Sequence, residues 1–387
     1  MSARRWRNSM NGHMDRNIGL RSQRSESPKI HDASRPTSLY DPYADSNAPR
    51  WLKFLWRNLS PRHVFIFIFL IAYPFIVSPF FAFQVGAQSL VLGLIALSLT
   101  FLGGYGGIVS LAQMSIAGIA GYSLAIFGSS STDISLGWPW WVALFFSVLI
   151  ATGCALIFGW LSVRTEGIYT IMITLAFGVA FYYLVLQNYS LFNGFQGFQK
   201  VYPPQVFGVN WRDPIPFYFI ALFTAFLGYL SIKWVIRSPF GIALQGVRDN
   251  PRRMEALGFN VIAHRVAAYG FGGLIAAFGG VLLVWYNGLI TPGSVNTGWQ
   301  INILVIAVLG GMGHPIGAFV GAVVFVLLQT FAIDIIDRER FNLVIGTVFL
   351  LIVLFSDDGL LGVWTKLSKR FGNKIDFPQS AAQTQRK

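Results

Sequence analysis

Chemistry needs ionisable or nucleophilic side chains brought together, and this chain keeps them out of its apolar stretches. Its one cysteine, Cys154, lies inside an apolar run. A single thiol can neither close an intrachain disulfide nor complete a multi-cysteine metal site, so it reads as a small core-filling residue. His31, His63, His264 and His314 are scattered, and no metal site is expected. No HExxH, GxSxG or GxxxxGK[ST] pattern occurs, so neither hydrolase chemistry nor nucleotide hydrolysis is expected of the chain. The polar groups that do enter the apolar stretches are uncharged: Ser110, Gln113, Ser115 and Ser123, with Gln88 and Ser89 before them. Such hydroxyls and amides can line a route for a solute. They can equally tie helix to helix, at ~0.6 kcal/mol per bond. No catalytic residue is expected.

The elements that carry these groups follow from composition. Of 387 residues, 54% are apolar and 12% charged, against roughly 25% charged in an average soluble protein. A soluble enzyme, a disordered chain and a disulfide scaffold are excluded. Asp, Glu, Lys and Arg are absent from 64–132, 134–163, 167–199, 214–232, 266–333 and 341–356. At about 20 residues per crossing, these stretches give about ten transmembrane or re-entrant segments. They are 64–83, 86–103, 108–128, 138–162, 168–187, 215–236, 266–286, 300–312, 315–333 and 341–356. The eighth is too short for a full crossing and reads as a broken or re-entrant helix. No stretch alternates as a barrel strand would, so the expected fold is an all-α polytopic membrane protein.

The charge lies at the flanks. Residues 1–63 hold twelve Lys/Arg against five Asp/Glu, and 366–387 hold six against one. Polar composition reads 1–50 as disordered, 51–63 as a possible interfacial helix and 366–387 as a basic tail around a transmembrane domain at 64–365. The basic balance matches the positive-inside rule rather than nucleic-acid binding. The densest basic loop between spans, 233–265, carries Lys233, Arg237, Arg248, Arg252, Arg253 and Arg265. That loop, the Arg164 turn and both termini are therefore expected in the cytoplasm. The loops 129–137, 188–214, 287–299 and 334–340 are expected outside.

Within the basic loop, Asn250 suits a helix N-cap, Pro251 the first helical position and Gly258 the left-handed position past the end. The helix so bounded, 251–257, is too short to persist alone in water. Met254 and Leu257 are expected to form one small apolar face, and Arg252 and Arg253 to reach a partner's carboxylates or anionic lipid. Such a helix docks against a partner or against this protein's own helix ends. Two further motifs match one another: LGGYGG (102–107) and LGGMGH (309–314). Paired glycines let helices end and backbones approach closely. Spans without a mid-depth carboxylate also argue against proton- or cation-coupled transport, although backbone carbonyls can hold Na⁺.

FGIALQGVRDNPRRMEALGFNV (240–261), LGGYGGIVSLAQMSIAGIAGYSLAIF (102–127), GLIAAFGGVLLVWYNGLITPGSV (273–295) and LGGMGHPIGAFVGAVV (309–324) together resemble the branched-chain amino acid ABC transporter permease family. The resemblance covers about 85–365, in order. It implies the membrane subunit of an ATP-driven importer in the inner membrane, with two permease subunits, two ABC ATPase subunits that bind ATP and Mg²⁺, and an external substrate-binding protein. The chain itself would bind no cofactor. Asn250, Pro251, Arg252, Arg253, Met254, Glu255, Ala256, Leu257 and Gly258 fall on the family's ATPase-coupling loop, with Glu255, Ala256 and Gly258 on its core.

The expected translocation path takes Gly103, Gly104, Tyr105, Ser110, Gln113, Ser115, Gly310 and Gly311. Ser110 and Gln113 are three residues apart and are expected on one helix face. Tyr105 suits a gate or a membrane interface equally. Outside, Phe192, Phe195, Phe198 and Trp211 in the aromatic stretch 188–214 can anchor a binding protein or form an interface belt. Two other functions stay open on sequence alone. One is a permease for urea or short amides. The other is an uncoupled channel or facilitator for small neutral solutes, which would have no need of a capped docking helix.

Overall fold

The computed structural model describes residues 70–335 except 133, 166 and 207, together with 346–347, 350 and 359–362. The expected N-terminal segments, the basic tail and nearly all of the tenth span lie outside the described residues, as does part of the first. The described part is helical. Helix α1 runs Pro79–Gly106 and includes a π turn at Ala82–Ala87. It is followed by α2 (Gln113–Phe127), α3 (Trp140–Ser162), α4 (Ile168–Gln187) and α5 (Pro214–Arg237). Two short helices, α6 (Pro239–Asp249) and α7 (Pro251–Ala256), precede the long α8 (Val261–Asn287). Helices α9 (Thr297–Gly310) and α10 (Pro315–Ile335) close the described bundle.

Five helices, α1, α3, α4, α5 and α8, are long and apolar enough to cross a membrane. The pair α9–α10 bends by 116° at its break, the interruption expected of the eighth segment. The chain is a multi-pass helical protein with five such spans among the described residues, or six if the bent pair counts as one. The expected break between the first two segments is displaced: α1 already begins at Pro79, behind an extended Ser78, because the residue before proline is pushed out of the helical region.

Helices α1, α2 and α8 form the centre. Ser89 to Leu102 of α1 is buried throughout, as is nearly all of α2. In contrast α3, α4 and α5 keep much of their surface outward, with Phe145, Trp160, Met172 and Phe223 among the exposed apolar side chains, as lipid-facing helices do. Small residues on α8 let three helices approach it at once. A Cβ on Gly273 would overlap Ala155 of α3, one on Gly279 would meet Ile95 of α1, and one on Gly280 would overlap the Ala117 carbonyl of α2. Helix association in lipid depends on such close packing. Gly280→Ala is therefore expected to cost about 1–3 kcal/mol, the usual range for overpacking. The check is the midpoint of thermal unfolding in detergent; an unchanged midpoint would contradict the packing account.

The bundle has two distinct ends. At one lie the 107–112 segment, the 163–167 turn, α6–α7 and the α9–α10 break; this is the basic end. At the other, β1 (Phe198–Gln199) pairs antiparallel with β4 (Leu289–Ile290), with Phe198 opposite Ile290. There Ser131 N–H donates to the Gln199 carbonyl at 3.1 Å and Val201 N–H to that of Gly288 at 3.0 Å. A second two-residue pair, β2 (Gln205–Val206) with β3 (Val209–Asn210), lies in the same long loop.

Candidate functional site

The basic end is built from capped pieces. Ser238 Oγ accepts from Gly241 N–H at 3.2 Å and Pro239 opens α6. A Cβ on Gly241 would overlap the Val235 carbonyl, so this position admits the tight reversal from α5 into α6. Gly241, Ala243, Leu244 and Val247 bury one face of α6. Asn250 Oδ1 then accepts from Arg253 N–H at 3.0 Å, with Pro251 first in α7. The helix ends in paired reversed bonds, Gly258 N–H to Glu255 at 2.9 Å and Phe259 N–H to Met254 at 3.0 Å, with Gly258 at φ +88°. This is the Schellman closure that glycine permits.

The capping expected from sequence is thus in place, with α7 one residue shorter than expected and Leu257 as its cap. The expected apolar face is not. Met254 is half-buried and lies over Gly246 of α6, where a Cβ would come within 2.8 Å of its sulfur. Leu257 points outward at 66% exposure and Phe259 at 40%. Leu257 keeps helical register, its N–H bonding the Arg253 carbonyl at 3.2 Å, but α6 covers Met254 and leaves Leu257 outward. Arg252, Arg253, Glu255, Ala256 and Gly258 are exposed beside them. The outward surface of α7 is therefore a charged patch edged by two apolar side chains.

The two glycine motifs, six expected spans apart in sequence, meet behind this surface. Gly104 abuts the main chain of Met312, where any Cβ would overlap the Met312 carbonyl oxygen, and Gly103 lies under the Met312 sulfur. Arg248 of α6 holds the first of them: its Nη1 donates to the Gly104 carbonyl, and its side chain covers Gly107. The same guanidinium holds Asp249 at 2.9 Å. Gly310 and Gly317 pack backbone to backbone across the α9–α10 break. Tyr105 is half-buried and stacks toward Phe101 at 6.4 Å.

The polar path residues separate. Residues 107–112 are not helical, so Ser110 and Gln113 do not share a helix face as expected. Gly107 ends α1 in the left-handed conformation, at φ +67°, and α2 restarts only at Gln113. The break is held from outside: Leu111 N–H donates to Thr174 Oγ1 of α4 at 3.1 Å. Buried backbone outside a helix needs such partners. Ser110 Oγ accepts from Ala112 N–H at 3.3 Å, whereas Gln113 Oε1 accepts from Ser98 Oγ of α1 at 3.0 Å. Ser115 is fully buried, and its hydroxyl has no partner among the described residues.

At the opposite end, two of the four aromatic anchors turn inward. Phe198 is fully buried, because pairing of β1 with β4 faces it into the bundle. Phe192 is half-buried. Both set their edges against Tyr122, with ring centroids at 6.2 and 5.5 Å. Phe198 is thus withdrawn from the surface, while Phe192 stays partly exposed. Phe195 is exposed and Trp211 half-buried.

A comparison with protein families matches residues 81–354 to the permease component of branched-chain amino acid transport systems. The chain belongs to this family. It is a membrane-embedded permease component and not itself catalytic. This branched-chain amino acid permease is 24% identical over 319 residues to the high-affinity permease protein LivM of Salmonella typhimurium, covering 76% of this chain and 73% of that one. It is 24% identical over 321 residues to LivM of Escherichia coli K12, covering 77% and 74%. Against the permease protein LivH of the same strain, identity is 25% over 287 residues, covering 70% and 90%. No solved structure matches.

Within the permease, sequence reasoning missed Arg248, Met312, Thr174 and Gln300. Arg248 stood inside the recognised loop, but its partner Gly104 is 144 residues away. Gln300 was visible as an amide in a charge-free segment, and is almost fully buried.

Proposed function

We propose that the permease forms the path for branched-chain or similar neutral amino acids in an importer powered by separate ATPase subunits. In this reading α7 is the docking element for the ATPase, which binds the ATP and Mg²⁺. A second permease subunit completes the pore, and an external binding protein delivers solute at the end that carries β1 and β4. The basic end and both termini lie in the cytoplasm, following the distribution of Lys and Arg.

One observation carries the reading: the exposed, doubly capped α7 rests through Met254 on Gly246 of α6, and Arg248 of α6 reaches the first glycine turn, which in turn abuts the second. A force on α7 has a route of direct contacts into α1 and the α9–α10 break. An uncoupled channel has no need of such a strut. The test is a mild-detergent purification of tagged protein from its native membrane, with co-purifying chains identified by mass spectrometry. Recovery of an ATPase and a second permease is expected; recovery of the permease alone would overturn the assembly.

Arg248→Met keeps the length of the side chain and removes its charged hydrogen bond. Bonds to charged groups contribute about 1.5–3 kcal/mol, so uptake is expected to fall roughly 10- to 100-fold at about 1.4 kcal/mol per decade. ATPase co-purification is expected to persist, since Arg248 faces inward. Unchanged uptake in reconstituted vesicles would remove Arg248 from the route.

A further inference from the structure

Two uncharged amides sit inside the bundle with hydrogen-bonding capacity unspent. Gln300, in the first turn of α9, is 1% exposed, and Gln113, first in α2, is also 1% exposed. The Gln300 amide occupies a notch in α4: a Cβ on Gly178 would overlap its oxygen, nitrogen and carbon. Its Nε2 donates to the Val295 carbonyl at 3.3 Å, and its Oε1 has no partner among the described residues. Gln113 is the converse. Its Oε1 accepts from Ser98, and its Nε2 has no partner among the described residues.

Helix α9 packs against α1, α2 and α4, the helices that carry Ser98, Gln113 and Gly178. Thr174, which holds the break before α2, is four residues from Gly178 on α4, or about one turn in depth. Val295, whose carbonyl accepts from Gln300, and Phe181 both lie against Gly118 of α2, five residues on from Gln113.

A buried amide left half-paired is costly, and a site built around one binds best what completes it. The unspent groups are one acceptor and one donor, with no ionised side chain on either. We propose that they are the contacts through which the path holds a zwitterionic α-amino acid: Gln300 Oε1 receives its ammonium, and Gln113 Nε2 donates to its carboxylate. Gly178 is a positioning residue that seats the Gln300 amide. This inference rests on the amino-acid importer reading above.

The test uses the complete importer in liposomes, with saturating binding protein and radiolabelled L-leucine. Gln300→Met and Gln113→Met keep side-chain length and apolar packing while removing the amide. Each is expected to lower maximal leucine uptake at least tenfold. The KM, set by delivery from the binding protein, and leucine-stimulated ATP hydrolysis are expected to stay within twofold, so that leucine moved per ATP falls. Gly178→Ala is expected to act as Gln300→Met does. A merely structural role would lower hydrolysis and uptake together, and that result overturns the proposal, as does uptake unchanged in both methionine variants. If one variant fails to assemble, the other decides. A wild-type complex that hydrolyses ATP but carries urea rather than leucine would overturn the importer's substrate reading instead.

Discussion

Gly104→Leu is expected to abolish transport while leaving the ATPase attached. The α-carbon of Gly104 lies against the Met312 main chain, and the first atom of any side chain would overlap the Met312 carbonyl oxygen. A neighbouring side chain can rotate away; a backbone carbonyl moves only with its stretch of main chain. Leucine would push the first glycine turn off the α9–α10 break and draw the Gly104 carbonyl from Arg248. Overpacking of this kind costs typically about 1–3 kcal/mol, enough to hold the two turns in one relation. Uptake is expected to fall at least roughly 100-fold, which about 2.8 kcal/mol against the working geometry would produce. The outward surface of α7 does not include Gly104, so ATPase recovery is expected to match wild type. Loss of the ATPase instead would place Gly104 in the docking surface.

Glu255→Arg has the second large effect, on the other side of the same strut. Glu255 is exposed on α7, and it makes no ion pair or side-chain hydrogen bond among the described residues. Reversing its charge therefore leaves the fold of the permease undisturbed and is felt by whatever meets that face. With Arg252 and Arg253 beside it, the substitution makes three cations within four residues. Like charges forced together across an interface cost several kcal/mol. ATP-dependent uptake is expected to disappear, with membrane insertion and the midpoint of thermal unfolding unchanged. Leu257→Ala at the same surface removes an apolar contact and is expected to weaken ATPase retention without that complete loss. Normal uptake by Glu255→Arg would argue heavily against α7 as the coupling element.

The contrast between these residues shows which parts of the site are legible in sequence. Helix α7 was readable because its limits are local: Asn250 and Pro251 begin it and Gly258 ends it, each through the backbone geometry of its own residue type. The same holds for the interruption between α9 and α10, where Gly310, Gly311 and Pro315 stand close together. The glycine turn at 102–107 was legible, but the extension of the break to residue 112 was hidden, because 108–128 carries no charge and hydropathy says nothing of helix ends. What holds that break is Thr174, from a helix two elements later. Phe198 misled for a similar reason. An aromatic residue in an outer loop suits an exposed anchor, but its direction is set by pairing with Ile290, 92 residues on. The Arg248–Gly104 bond and the Gln300–Gly178 notch are likewise products of the assembled bundle. Spacing identifies pieces; long-range contacts decide which of them touch.

The route of contacts from α7 to the glycine turns has meaning only if transport is driven. The most direct measurement is accumulation of radiolabelled L-leucine in liposomes that hold the assembled importer, with its binding protein supplied and ATP present or absent on the ATPase side. Accumulation above the external concentration with ATP, and none without it, is the expected result. Leucine that equilibrates across the membrane without ATP, and never exceeds the external concentration with it, would contradict the coupled importer and leave a facilitator in its place.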